Sequence, residues 1–166
     1  MLLVSLSVFL VGAVVFDFIS CRLPNYYLML GLLISLAYQL SYFGLYGVAI
    51  AGGGVLTGFG LLVPLYAVKG MAAGDVKLMA VVGSFLGAAG ALWAGACSLI
   101  AGAVLGVCYL LYKKQFGRLL SRYWAMASLR THIPAQEDDA ARHRFPYAIA
   151  IFTGTLISLF WQPFGL

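Results

Sequence analysis

Two of the five acidic residues stand apart from the other three, which cluster at Glu137, Asp138 and Asp139 in a polar segment. Asp17 follows 16 residues without any charge, and Asp75 opens a long apolar stretch. A carboxylate in or beside a membrane-spanning helix is costly, so its presence is by default a hypothesis of function. Two carboxyl groups held together can share a proton, with one ionised as a base and the other protonated as an acid. Aspartic proteases activate water in this way.

Position alone leaves other roles open for the two aspartates. Asp17 could form an ion pair with Arg22, and Asp75 could pair with Lys77 or Lys69. The two carboxylates could also form a proton or ion relay in a small transporter or channel. A catalytic pair is the third reading, and it is distinguished from a relay by depth. A relay normally places ionisable groups at several depths of the membrane, whereas no ionisable group is predicted near the midplane here.

Metal and cofactor chemistry has little support in the sequence. Cys21, Cys97 and Cys108 lie far apart and form no CxxC pair, which argues against a zinc site or a disulfide framework. His132 and His143 are separate residues of a polar segment, and neither an HExxH nor a GxSxG motif occurs. We therefore expect neither a metal nor a cofactor.

The elements that position the aspartates follow from the composition. Of 166 residues, 63% are hydrophobic and 9% are charged, against about 25% charged in an ordinary soluble domain. This predicts an all-α integral membrane protein whose residues 1–166 form a single domain. Six transmembrane helices fit the apolar runs, and glycines four residues apart predict close helix packing. The spans are residues 2–19, 26–42, 46–68, two helices within 76–112 separated at 87–90, and 145–161. The glycine pairs are Gly54/Gly58, Gly83/Gly87 and Gly102/Gly106.

The basic residues give this layout an orientation. With six spans, the turns at residues 20–25, 69–75 and 113–144 share one side of the membrane, and the turns near 44 and 88 share the other. The first side, with the adjoining Lys77, holds all ten Lys and Arg, so it is predicted to be cytoplasmic with both termini outside. This distribution also explains the net charge of +5 without a nucleic-acid partner.

Orientation brings the two aspartates to one face. Asp17 lies about one turn inside the cytoplasmic end of helix 1, roughly 3 to 5 Å deep by helical rise, and Asp75 lies at the cytoplasmic start of helix 4. In the polar segment before the last span, apolar side chains recur at helical spacing opposite basic ones, which predicts a basic interfacial helix on the lipid surface. The apolar side chains are Phe116, Leu119, Leu120, Tyr123 and Trp124, and the basic ones are Lys114, Arg118 and Arg122.

Three motifs follow one another along the chain: Asp17-x4-Arg22-x-Pro24-Asn25, Gly74-Asp75-Val76-Lys77-Leu78 and Pro146-Tyr147-Ala148. Together they resemble the type IV prepilin peptidases, most closely the short forms that serve Flp-type, tight-adherence pilus systems. The motifs span most of the chain in the order and six-helix layout of that family. One departure is Ala72, which stands where the family pattern Gly-x-Gly-Asp has its first glycine.

The resemblance implies a function and assigns residues to it. A member of this family cleaves the basic leader from prepilins or pseudopilins at the cytoplasmic face of the bacterial inner membrane, as an aspartic endopeptidase without metal or cofactor. Asp17 and Asp75 occupy the positions of its catalytic aspartates. Gly74 would permit close backbone approach, Lys77 would tune the pair electrostatically, and Arg22, Pro24 and Asn25 would shape the turn after helix 1. The expected partners are the prepilin substrate and membrane lipid.

Overall fold

The computed structural model describes residues 2–20, 23–68, 70–112 and 147–160. Two predictions fall outside these ranges: the role of Arg22 and the basic interfacial helix within residues 113–144. Within them the chain is all-helical, as predicted. The four helices are α1 (Leu2–Ser20), α2 (Asn25–Ala67), α3 (Ala73–Tyr112) and α4 (Ala148–Phe160).

Three of the helices are long and apolar enough to cross a membrane, namely Leu2–Ser20, Asn25–Ala67 and Ala73–Cys108, and α4 is a shorter apolar helix. Their outer faces carry many large apolar side chains: Leu45 is 86% exposed and Phe160 is 92% exposed. A water-soluble domain of this size would have to bury such surface, whereas lipid accepts it directly. The chain is therefore a helical membrane protein.

Gly44 breaks α2 into two segments. Its φ of 61° lies in the left-handed region that favours glycine. Three residues later, a Cβ atom added to Gly47 would overlap the carbonyl oxygen of Gln39. Residues eight apart in a straight helix are separated by about 12 Å along its axis, so α2 folds back on itself at this glycine. The sequence predicted a turn here.

Gly87 breaks α3 in the same way, with a φ of 73°. A Cβ atom added to Gly83 would lie 3.2 Å from the Cβ of Ala91, again eight residues along the chain. This reversal coincides with the predicted turn at residues 87–90.

Small residues bring the second segment of α2 against the first segment of α3. A Cβ atom on Gly54 would overlap the carbonyl of Gly83, and one on Gly58 would overlap the carbonyl of Met79. Moving four residues forward on one helix moves the contact four residues back on the other, so the two segments run antiparallel. Glycines at four-residue spacing allow this close approach, as the sequence predicted.

The α1 helix packs against the start of α2. The hydroxyl of Tyr27 donates to the backbone carbonyl of Phe9 at 2.6 Å, and the two rings stack with their centroids 4.7 Å apart. Residues 2–102 and 147–160 belong to one compact unit, and residues 103–112 at the end of α3 belong to a second unit. Every contact of the site described below lies within the first unit.

Candidate active site

Asp17 lies in the last turn of α1 and is 8% exposed. Its Oδ2 atom accepts a hydrogen bond from the backbone N–H of Ala148 at 3.2 Å. Ala148 is the first residue of α4, and the first N–H groups of a helix have no acceptor within that helix. Asp17 therefore caps the N-terminus of a helix that begins 131 residues later in the chain.

Asp75 lies in the first turn of α3 and is 6% exposed. Its backbone N–H donates to the carbonyl of Ala72 at 3.2 Å, which closes the first turn of the helix. A carboxylate in the first turn is favourably placed toward the helix dipole. Both aspartates are thus buried beside a helix N-terminus, Asp75 in its own helix and Asp17 across to α4.

The two carboxyl groups are close enough to interact through their charges. No basic side chain of the described ranges forms an ion pair with either of them, and Arg22 and Lys69, which the sequence offered as partners, lie outside those ranges. Among the described residues no three His, Cys, Asp or Glu side chains gather into a possible metal site. The arrangement therefore consists of two buried carboxyl groups that lie near enough for their charges to repel each other.

Lys77 lies near the start of α3, and Asn25 is the first residue of α2. The Lys77 Nζ atom donates to Asn25 Oδ1 at 3.0 Å, and both residues are exposed. Pro24 precedes α2, and its carbonyl accepts the N–H groups of Tyr27 and Leu28 at 3.1 and 3.3 Å. The structure thus joins the two predicted residues Lys77 and Asn25 to each other, and this bond ties the start of α2 to the start of α3.

Gly74 precedes Asp75 and lies beside Leu23. A Cβ atom at Gly74 would be 3.5 Å from the Leu23 Cβ, an ordinary van der Waals contact, and its φ is not in the left-handed region. The described part of the fold therefore has room for alanine at this position. If the reaction requires glycine here, the requirement comes from what approaches the site.

Tyr147 belongs to the site, although the sequence indicated it only as part of the motif Pro146-Tyr147-Ala148. Its hydroxyl donates to the backbone carbonyl of Ser98 in α3 at 3.1 Å, and the charge of Asp75 acts on this hydroxyl. Tyr147 also directly precedes Ala148, whose N–H holds Asp17. The sequence signal for this part of the site was the start of an apolar helix at this motif. The first N–H groups of a helix have no acceptor within that helix, so they are available to bind a carboxylate.

Residues 4–111 match the model of the type IV leader peptidase family. The matched range includes Asp17, Asp75 and the residues around them, and it ends before Tyr147 and α4. No curated protein and no solved structure matches the chain significantly. Because the family match covers well over half of the chain, this protein belongs to the type IV leader peptidase family.

Proposed function

We propose that this protein is an intramembrane aspartic endopeptidase that removes the basic leader peptide of prepilins or pseudopilins, with Asp17 and Asp75 as its catalytic residues. The observation that carries this proposal is the burial of both carboxyl groups, each beside a helix N-terminus and near enough for their charges to repel each other. Two such groups at close range disfavour double ionisation, which leaves one proton shared between them.

The shared proton supports a two-step hydrolysis. The ionised carboxylate takes a proton from a water molecule while the water oxygen bonds to the scissile carbonyl carbon. At the same time the carboxylic acid gives its proton to the carbonyl oxygen. The resulting diol then collapses. One hydroxyl of the diol gives its proton to the aspartate that is now ionised. The other aspartate, now protonated, gives its proton to the leaving nitrogen as the C–N bond breaks. The products are a new carboxyl group and a new amine, and the pair regains its single proton.

The membrane layout supports the predicted side of action. The folds at Gly44 and Gly87 would let α1, both segments of α2, both segments of α3 and α4 make six passes in a single domain. This layout leaves the ten basic residues on one side, which we take as the cytoplasmic face of the bacterial inner membrane, with both termini outside. Asp17 and Asp75 then lie at that face, where a basic leader would be found. The motifs of the chain favour a peptidase of the Flp type.

A transporter with an aspartate relay is the alternative. Asp17, Asp75 and Lys77 are the charged side chains of the described residues, and the first two are gathered at one place. A relay across a membrane needs ionisable groups at several depths. In the described part of the chain the two carboxyl groups lie together at one place, which favours a catalytic role over transport.

The test is co-expression with a prepilin and detection of leader removal as a change in size. Asp17→Asn and Asp75→Asn should each abolish cleavage, because an amide can neither take the proton from water nor return it. Asp138→Asn, in the acidic cluster of the polar segment, is the matched control and should cleave normally. Near-normal cleavage by either of the first two variants would refute the catalytic pair. Their loss from the membrane would point to a structural role.

A further inference from the structure

The position of Asp17 depends on where α4 begins. Its carboxylate accepts a hydrogen bond from the Ala148 N–H, 131 residues along the chain. A hydrogen bond of this kind works only while the donor stays within about 3.2 Å and in line with the acceptor. The helix that carries Ala148 must therefore be fixed in place for the bond to orient Asp17.

Tyr147 fixes the first turn of α4 to α3. Its hydroxyl donates to the Ser98 carbonyl at 3.1 Å, and its ring covers Gly102, one turn further along α3. A Cβ atom at Gly102 would overlap the ring and the hydroxyl of Tyr147. The absence of a side chain at Gly102 thus creates the space that the tyrosine occupies.

A second contact holds the next turns of α4 at the same place. A Cβ atom at Gly154 would overlap the backbone of Ser98, so the two helices touch there. The Ser98 hydroxyl also lies 3.5 Å from the carbonyl of Ile151, although its shorter bond is to Ala94 in its own helix. One residue of α3, Ser98, therefore contacts both Tyr147, directly before α4, and Gly154 within α4, which restrains sliding along the interface.

We propose that Tyr147 is a positioning residue for Asp17: by bonding Ser98 and filling the space over Gly102, it holds the N–H of Ala148 on the Asp17 carboxylate. This inference rests on the proposed function for its consequence, since a misplaced Asp17 slows cleavage only if Asp17 is catalytic. The geometric part does not depend on that function. Displacement of a catalytic group by about 1 Å can slow a reaction as much as 100-fold.

The experiment compares three variants in purified, membrane-reconstituted protein. Tyr147→Phe removes the hydroxyl and keeps the ring. Gly102→Ala adds a methyl group where the ring lies. Thr153→Val is the matched control, because it also removes a hydroxyl. Among the described residues, this hydroxyl of α4 bonds carbonyls of its own helix, those of Ile149 and Ala150. Each variant is assayed for prepilin cleavage and for the infrared carboxyl bands of Asp17, which are those lost in Asp17→Asn.

We expect Tyr147→Phe to lower kcat about 10-fold with little change in KM, and to shift the Asp17 bands without substrate present. Gly102→Ala should do the same. The two changes together should cost less than their separate effects combined, because both break one contact. Thr153→Val should leave kcat and bands unchanged.

Other results would overturn the assignment. Asp17 bands that stay unchanged in Tyr147→Phe would show that Tyr147 does not position the carboxylate. So would a loss of activity matched by an equal loss of folded protein. If the wild-type protein fails to cleave any prepilin while the bands still shift, the proposed function fails and the positioning role stands.

Discussion

Asp17 and Asp75 satisfy the main requirement of buried carboxyl groups, which is compensation for lost hydration. A buried charge is tolerated only with hydrogen bonds or opposite charge nearby. Asp17 obtains its bond from the first N–H of α4, and Asp75 lies in the first turn of α3. Helix N-termini supply this compensation without a basic side chain. The pair is thereby left free of a neutralising cation among the described residues, as a proton-sharing mechanism needs.

The hydrogen bond between Lys77 and Asn25 should matter more for activity than for stability. Lys77→Met keeps much of the stem but removes the bond to Asn25 Oδ1. Because both residues are exposed, the free energy of unfolding should change by less than about 1 kcal/mol. Cleavage should fall severalfold, since the starts of α2 and α3 are no longer tied together beside Asp75. Cleavage assays and thermal unfolding of the same variant in detergent measure the two effects.

Asn25→Leu separates this positional role from a direct effect of the lysine charge. If Lys77 acts through Asn25, the two variants should lower cleavage similarly and the double variant should be no worse than either. If Lys77 instead acts on the carboxyl pair by its charge, Asn25→Leu should cleave normally. That result would contradict the bond's role and return Lys77 to the tuning role predicted from the sequence.

Gly74→Ala tests whether glycine beside Asp75 serves the fold or the substrate. The added Cβ would make an ordinary contact with Leu23 at 3.5 Å, and alanine favours the helix over glycine by up to about 1 kcal/mol. The melting temperature should therefore stay equal or rise. Cleavage should nevertheless fall, because the methyl group would obstruct a substrate backbone approaching Asp75. Normal cleavage would show that the site does not need this glycine.

At the scale of the helices, the sequence predicted what depends on local composition. The bounds of α1 and the reversals at Gly44 and Gly87 follow from apolar runs and glycine positions, and the structure confirms them. The bond between Asp17 and Ala148 could not be predicted in this way, because it joins residues 131 apart through tertiary packing. The four-residue spacing of Gly102 and Gly106 also did not predict which of the two glycines lies at a contact. Gly102 contacts Tyr147, whereas no described atom lies within 4 Å of a Cβ at Gly106.

Two glycines on one helix test the close packing of α2 and α3. Gly54→Ala would press a methyl group against the carbonyl of Gly83, which is backbone and cannot turn away. The helices would have to separate, at a cost of about 1 to 3 kcal/mol in the free energy of unfolding. Gly52→Ala, on the same helix, is the matched control, because no described atom lies within 4 Å of its added Cβ. Unfolding in detergent should show a lower melting temperature for Gly54→Ala alone; equal values would contradict the packing.

At the scale of the whole molecule, the lengths of the helical segments limit the membrane topology. The segments of α2, residues 25–43 and 45–67, are roughly 28 and 34 Å long by helical rise, enough for a hydrocarbon core of about 30 Å. Residues 73–86 of α3 give only roughly 21 Å. If this segment still crosses, its length falls several ångströms short of that core. Where the shortfall lies at the Asp75 end, the carboxyl pair is inside the apolar layer.

Single cysteines at the two reversals test this topology. In a background with Cys21, Cys97 and Cys108 replaced, Leu45→Cys and Ala89→Cys place thiols at exposed positions next to the Gly44 and Gly87 breaks. A membrane-impermeant maleimide added to intact cells should label both, because six passes put both breaks outside. Ala72→Cys, exposed before α3, should label only after permeabilisation.

A different labelling pattern would contradict six passes. If Leu45→Cys labels in intact cells and Ala89→Cys labels only after permeabilisation, the 21 Å segment does not cross, and a reporter fused after Leu166 would then report the cytoplasm. With six passes that fusion reports the outside, while a reporter within residues 113–144 reports the cytoplasm.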